Sequence, residues 1–421
     1  MTNSKKIFMS VLLTASLAMP TFSANADTIS NDTEEKIRVY VEASDTPTKS
    51  AIKGKFKVRW ELSENGFSTE MTEKQFIALQ KNKKVQVTKV QKVTLDTDTK
   101  VRATNNEVAA AEYPTHQTPW GIKAIYNNSN QTTTSGGQGI NIAVLDTGVN
   151  VNHYDLANTV EQCKNFTGST TVINGCNDGH GHGTHVAGSA LADGGFDGAG
   201  IYGVAPQADL WAYKVLGDNG SGYSDDIAAA IRHTADQATS TGTKTVINMS
   251  LGSSANNSLI SSAVNYAYSK GVLIVAAAGN SGPNQGTIGY PGALVNAVAV
   301  AALENVQQNG TYRVANFSSR GYASTDGDYV IQQGDIEISA PGASIYSTWN
   351  NGGYNTISGT SMATPHVAGL AAKIWAQNPG WSHTQLRTDL QNRAKNYDVK
   401  GGTGATTGDD YASGFGFARV N

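Results

Sequence analysis

The sequence predicts an α/β fold: a parallel sheet flanked by helices on both faces, preceded by a small separate α+β unit. Three observations predict it. From about residue 113 to residue 421, apolar runs that read as buried strands alternate with helical patterns, the order of a parallel sheet covered on both sides. Residues 27–112 have another texture, with 15 Lys/Arg and 14 Asp/Glu against 14 and 20 in residues 113–421. Between the two, residues 97–112 turn small and polar, as an exposed, cleavable linker does.

The elements follow in order. Lys5 and Lys6 precede an apolar run, Ile7–Ala18, which Pro20 breaks ahead of Ala24-Asn25-Ala26. Residues 1–26 read as a secretory signal. The alternative, a membrane anchor, needs ~20 apolar residues, and this run is shorter. In the leading unit, KFKVRWEL (Lys55–Leu62) and VQVTKVQKV (Val85–Val93) alternate polar and apolar, as half-buried strands do. Thr72 and Gln75 form a capping box ahead of Phe76 and Leu79.

After residue 113, INIAVLD (Ile140–Asp146), VINMS (Val246–Ser250) and VLIVAAAG (Val272–Gly279) read as strands. Ser224–Ala238 reads as a helix whose first turn carries Asp225 and Asp226, favourable to the helix dipole. Ser258–Ser269 is a helix stopped by Gly271, Ser361–Ala376 an apolar helix, and Ser382 with Gln385 caps a last one. In such sheets the site lies beyond the carboxyl ends of the strands, where Asp146 and Asn280 stand.

A net charge of −3 argues against a nucleic-acid partner. No later segment is long and apolar enough to span a bilayer, so no membrane partner is expected. Export would place Cys163 and Cys176 in an oxidising compartment, where they read as one disulfide. A zinc pair is the alternative, although structural zinc usually takes tighter cysteine spacing. With 45 Gly, 10 Pro and only 15% charged residues, the chain is expected to be flexible and heat-labile.

The chemistry begins at DGHGHGTHVAG (Asp178–Gly188), which packs His180, His182 and His185 together. A metal reading meets Thr184 where the zinc hydrolases with a similar motif have Asp, and no downstream ligand set follows. A serine hydroxyl, in contrast, needs a base to take its proton and a carboxylate to orient that base. Asp146 ends a strand, a histidine starts a helix, and Ser361 opens an apolar helix whose N-terminus favours a developing oxyanion. Asn280, in AAAGNSG, is an amide donor after a buried strand. An aspartic protease would need a second Asp-Thr-Gly beside Asp146-Thr147-Gly148, and an α/β-hydrolase a G-x-S-x-G elbow; neither is present. A catalytically dead binding protein is disfavoured, because all four positions are filled.

With DTG, HGTHVAG and GTSMATPHVAG in this order, the chain resembles the subtilisins, secreted bacterial serine endopeptidases. The resemblance implies a subtilisin-like fold for residues 113–421 and a ferredoxin-like propeptide at 27–112. That propeptide would act as folding template and inhibitor and be cut off between about Ala103 and Tyr113. It implies Asp146, His182 and Ser361 as the catalytic set, with His180 and His185 structural. Asn280 and the Ser361 N–H would form the oxyanion hole. Ser250, Leu251 and Gly252 would pair with an extended substrate, and Ala277, Gly279 and Gly289 would leave room for a large apolar side chain. It also implies structural Ca2+, with Asp155 matching a ligand and Asp193 and Asp197 as further carboxylates. His116 or Gln117 falls near an N-terminal glutamine ligand, and Asp326, Asp328 and Asp335 are candidates for another ion. Protein and peptide substrates and a monomer are expected.

Overall fold

The computed structural model describes residues 35–95, 113–168 and 171–420. The chain divides into two units, Met1–Glu35 and Lys36–Asn421, and every described helix and strand belongs to the second. The signal assigned to residues 1–26 and the linker at 97–112 lie outside the described residues.

The first sheet is built from β1 (Lys36–Ala43), β2 (Val58–Glu61), β3 (Gly66–Thr72) and β4 (Val85–Lys89), in the antiparallel order β2-β3-β1-β4. Helices α1 (Thr46–Lys53) and α2 (Glu73–Gln80) complete the β-α-β-β-α-β order expected of a ferredoxin-like unit. Asp45 caps α1, and Thr72 with Gln75 forms the capping box of α2. Val39, Val41, Phe67, Met71 and Val87 fill this unit's own core.

Two expectations change here. Lys55–Leu62 is strand only from Val58, because the residues before it turn out of α1. Val85–Val93 is two strands. After β4 the chain breaks at Val90–Gln91, and β5 (Lys92–Thr94) pairs with a strand of the larger body instead. A period-two pattern shows that a segment is extended but not which partner it pairs with.

The larger body runs through α3 (Trp120–Ile125), β6 (Ile140–Asp146), β7 (Val160–Asn165), β8 (Ile173–Asn174) and α4 (His182–Leu191). Then come β9 (Asp209–Lys214), β10 (Ser221–Tyr223), α5 (Ser224–Thr241), β11 (Lys244–Met249), α6 (Ser258–Ser269) and β12 (Leu273–Ala277). The remainder is β13 (Val298–Gln308), β14 (Thr311–Val314), β15 (Ile338–Pro341), β16 (Ile345–Thr348), β17 (Tyr354–Ile357), α7 (Thr360–Gln377) and α8 (His383–Lys395). The main sheet has the order β14-β13-β12-β11-β6-β9-β7-β8, with β15 also on β13. All its internal pairs are parallel; β14 and β8 are antiparallel edges.

Both faces of this sheet are covered, so its central strands are apolar throughout. On β6, Ile142 and Val144 pack into the core that holds α4 and α7. Ala143 and Leu145 point the other way, into the core beneath α5 and α6. Trp60, Leu62, Val93 and Leu95 join this second core, so the small unit shares apolar contacts with the larger one. Cys163 and Cys176 form a disulfide that ties β7 to the loop ahead of α4.

Candidate active site

Asp146 ends β6 and is fully buried. Its Oδ1 accepts from the Thr147 N–H at 2.7 Å and from His182 Nδ1 at 2.7 Å. Donating Nδ1–H to a carboxylate fixes the tautomer, leaving Nε2 of His182 as the proton acceptor. Burial lowers the His182 pKa, but the Asp146 charge and hydrogen bond and the Asp178 charge outweigh it, so the net shift is upward.

Sequence reasoning missed the residue that sets this geometry. Asp178 accepts from the N–H groups of His180 and Gly181 on Oδ1, and from the N–H and hydroxyl of Thr184 on Oδ2. It therefore satisfies donors at the start of α4, where an acid is favoured. The Thr147 hydroxyl donates to the same Oδ1 and accepts from the Gly183 N–H, clamping the β6 end to the α4 start. Gly183 must be glycine for this approach, because a Cβ there would collide with the Gly148 carbonyl oxygen. The visible signal was an Asp a few residues ahead of a helical His.

The three histidines part company. His185 is buried, its Nε2 is 2.9 Å from the Ile345 carbonyl, and burial pushes its pKa down to about 3. His180 stacks edge-on against His182 with ring centroids 6.2 Å apart. Among the described residues, no group of three or more His, Cys, Asp or Glu is arranged to hold a metal.

Ser361 is the second residue of α7. Its hydroxyl donates to the Ser250 carbonyl at 3.1 Å. A serine hydroxyl is free to rotate, and catalytic hydrogen bonds often tighten only with substrate. Four residues on, Pro365 has no N–H for the Ser361 carbonyl. The Ser250 hydroxyl supplies the missing bond at 2.8 Å, anchoring the start of α7 to the end of β11. Asn280 is clamped as well, because its Oδ1 accepts from the Thr360 N–H at 2.9 Å and the Thr360 hydroxyl at 3.1 Å. A Cβ placed on Gly359 would lie 3.6 Å from Ser361 N and 3.7 Å from Asn280 Nδ2, so the two donors converge.

A cavity of about 450 Å³ opens beside these groups. Leu251, Gly252, Ala277, Gly279 and Gly289 all line it with Asn280 and Ser361. Ser250 is buried behind the wall instead, where it supports Ser361. Thr94 and Leu95 also line the cavity. Strand β5 lies antiparallel to β10, and the Leu95 N–H donates to the Gly220 carbonyl at 2.9 Å. The chain thus adds a strand to β10 beside the cavity.

Asp155 is fully buried, and burial raises its pKa. Its Oδ2 accepts from the Tyr354 hydroxyl and the Ile201 N–H, but its Oδ1 has no hydrogen-bond partner. A Cβ on Gly200 would collide with that Oδ1 and lie 2.9 Å from the Gly194 carbonyl, so two oxygens face one cradle. Gln117 reaches the same loop, its Nε2 donating to the Gly198 carbonyl at 2.6 Å. An orphaned carboxylate oxygen beside a carbonyl oxygen is a donor pair that fits a hard cation. Asp193 bonds Asn158 and the Gly195 N–H, and Asp197 bonds Tyr154 and the Ala199 N–H. The acidic loop at 322–337 draws in Asp409 and Asp410; burial and these neighbours push Asp326 up to about 8.

The model of the subtilase family matches residues 137–416, two thirds of the chain. The chain belongs to the subtilase family. It is 64% identical, in an alignment of 424 positions that covers 100% of both proteins, to a subtilisin of Bacillus sp. (strain TA39). It is 40% identical over 279 residues to subtilisin Savinase of Lederbergia lenta, covering 66% of this chain and 91% of that protein. Among solved structures, sphericase matches with a TM-score of 0.73 and 80% identity, covering 73% of this chain and 99% of that one. The S41 psychrophilic protease matches with a TM-score of 0.72 and 72% identity, over 73% of this chain and 99% of that one. This subtilase is a serine endopeptidase, a hydrolase acting on proteins.

Proposed function

We propose that the chain is an exported, calcium-stabilised endopeptidase made as a zymogen, with Asp146, His182 and Ser361 as its catalytic residues. The observation that carries this is the His182–Asp146 bond of 2.7 Å, together with Ser361 and Asn280 on the wall of one cavity. His182 Nε2 takes the Ser361 proton as Oγ attacks the scissile carbonyl carbon. The developing oxyanion accepts from Asn280 Nδ2 and the Ser361 N–H. The imidazolium, held by Asp146, then gives its proton to the leaving amine. Water, deprotonated by His182, hydrolyses the acyl-enzyme and restores the serine.

Small residues at Ala277, Gly279 and Gly289 support broad specificity with a preference for large apolar side chains. Leu251 and Gly252 line the same cavity as Thr94 and Leu95, which supports substrate binding by β-addition. Residues 27–112 then act as template and inhibitor, a reading supported by the pairing of β5 with β10 and by Thr94 and Leu95 lining the cavity with Ser361. A parallel sheet has many non-local contacts and folds slowly, which favours a template. The cut falls between about Ala103 and Tyr113, a stretch outside the described residues up to 112. A mature body of residues 113–421 is consistent with the extent over which the solved relatives align. The signal at residues 1–26 directs export, and the mature enzyme acts as a monomer without nucleic-acid or membrane partners. Among the described residues no helix is long and apolar enough to cross a membrane.

Asp155 and the Gly194 carbonyl, with Gln117 reaching the same loop, would hold calcium, whose charge would offset the buried carboxylate. Asp193 and Asp197 lie on the same loop as further carboxylates. One solved relative is described as psychrophilic; the Gly-rich, Pro-poor composition supports a heat-labile enzyme here too. The test is casein hydrolysis by wild type and Ser361→Ala, with a sulfonyl fluoride or a chelator, recording product masses. Activity killed by the fluoride, absent in Ser361→Ala and accompanied by loss of about the first hundred residues supports the reading. A serine variant that stays active overturns it.

A further inference from the structure

Strand β5 is not the small unit's only foothold on the larger one. Helix α5 opens beside the cleft, and Asp225 and Asp226 in its first turn are buried. Arg38 Nη1 lies 2.6 Å from Asp226 Oδ2 and 3.4 Å from Asp225 Oδ1. Arg59 Nη2 lies 3.2 Å from Asp226 Oδ1, and the Trp60 indole N–H donates to that oxygen at 2.7 Å. The Arg38 guanidinium also lies 3.9 Å over the Tyr223 ring. Asp225 Oδ2 accepts no hydrogen bond; Arg59 Nε stands 3.6 Å from it.

Every cation in these contacts comes from residues 36–95. When that unit leaves, two carboxylates and an aromatic face lose two guanidinium groups at once. A recess of this kind suits another guanidinium, which can pair bidentately and stack. Its place along a substrate follows from register. Tyr223 pairs with Lys92, whose Nζ already lies 5.5 Å from the ring centroid. Thr94 and Leu95 line the cavity with Ser361 whereas Lys92 does not, so the strand runs toward the serine. A substrate strand laid on β10 in the register of β5 presents to Ser361, at ~3.3 Å per residue, the bond one or two residues past the position that Leu95 takes. This register applies to substrates of the processed enzyme and not to the maturation cut between about Ala103 and Tyr113.

We infer that the processed enzyme carries a cation subsite, formed by Tyr223, Asp225 and Asp226, that selects arginine five or six residues on the acyl side of the cut. The inference rests on the endopeptidase reading and on removal of the leading unit. It makes Arg38 and Arg59 stand-ins for a substrate side chain.

The test uses the purified, processed enzyme and internally quenched peptides in which one arginine is moved through each acyl-side position of a methionine reference, with product masses fixing the cut. The expected result is a single maximum in kcat/KM at the fifth or sixth residue, about tenfold over methionine, from one ion pair and one cation–π contact. Lysine should gain less, glutamate should lose, and the gain should collapse near 1 M salt, where screening is nearly complete. Asp225→Asn with Asp226→Asn should bring the arginine-to-methionine ratio close to one; should that variant fail to mature, the wild-type peptide and salt series decide alone. Equal rates for arginine and methionine at those positions, with the peptides cleaved, would overturn the subsite and leave the endopeptidase reading standing. Failure to cleave any peptide would overturn both.

Discussion

In the proposed mechanism, Asp146 and His182 set the pH behaviour of the chemistry. The net upward shift of His182 means that its neutral, proton-accepting form is lost as pH falls through a value above the ordinary ~6.5 of histidine. The acid limb of kcat/KM against pH should therefore lie above that value, and an acid limb below pH ~6 would contradict the assignment. Asp146→Asn should cut kcat by about 10⁴-fold through the wrong tautomer, as in other triad enzymes. Asn280→Ala removes one converging donor and should cost ~10²–10³-fold in kcat with little change in KM. These residues were legible in the sequence because each sits in a short motif at the end of a strand or the start of a helix. Thr360 was less so. It stands in GTS beside Ser361, but its role as the clamp on Asn280 Oδ1 exists only once β12 and α7 meet.

At the level of elements, α4 and α7 are held by side chains that replace helix-end hydrogen bonds. Asp178→Ala leaves four N–H and hydroxyl donors near the start of α4 without their acceptor, each worth ~1–3 kcal/mol when buried. It should lower the melting temperature and cut kcat by ~10²-fold by displacing His182, while KM moves little. Asp178→Asn, which keeps one acceptor oxygen, should restore part of both; a change in melting alone would make the residue merely structural. Strands β6, β11 and β12 were legible as continuous apolar runs, helices α5–α7 from their helical patterns, and α8 from the Ser382–Gln385 cap. Strand β5 was not, since its partner β10 begins only at Ser221, far along the chain, and no local pattern encodes that pairing. The same blindness hid the Arg38, Arg59 and Trp60 contacts with α5.

For the whole molecule, stability is expected to depend on calcium and on the single disulfide. Chelation should lower the melting temperature, with recovery on adding Ca2+ but not Zn2+, and Asp155→Asn should abolish the recovery. An unchanged melting curve in the chelator would mean that calcium does not stabilise the fold. Replacing Cys163 and Cys176 by serine, which opens a short loop with a sequence separation of 13, should cost about 2–3 kcal/mol. With calcium present, the heat-labile reading sets the midpoint no higher than ~65 °C, the upper range of mesophilic domains. The whole mechanism stands on Ser361 as the nucleophile that His182 activates. To decide this, the processed enzyme is treated with a fluorophosphonate and digested, and the adduct is located by mass spectrometry. One stoichiometric adduct is expected, on Ser361, formed as activity disappears and much more slowly in His182→Ala. An adduct on another residue, or inactivation with Ser361 unmodified, would refute the assignment.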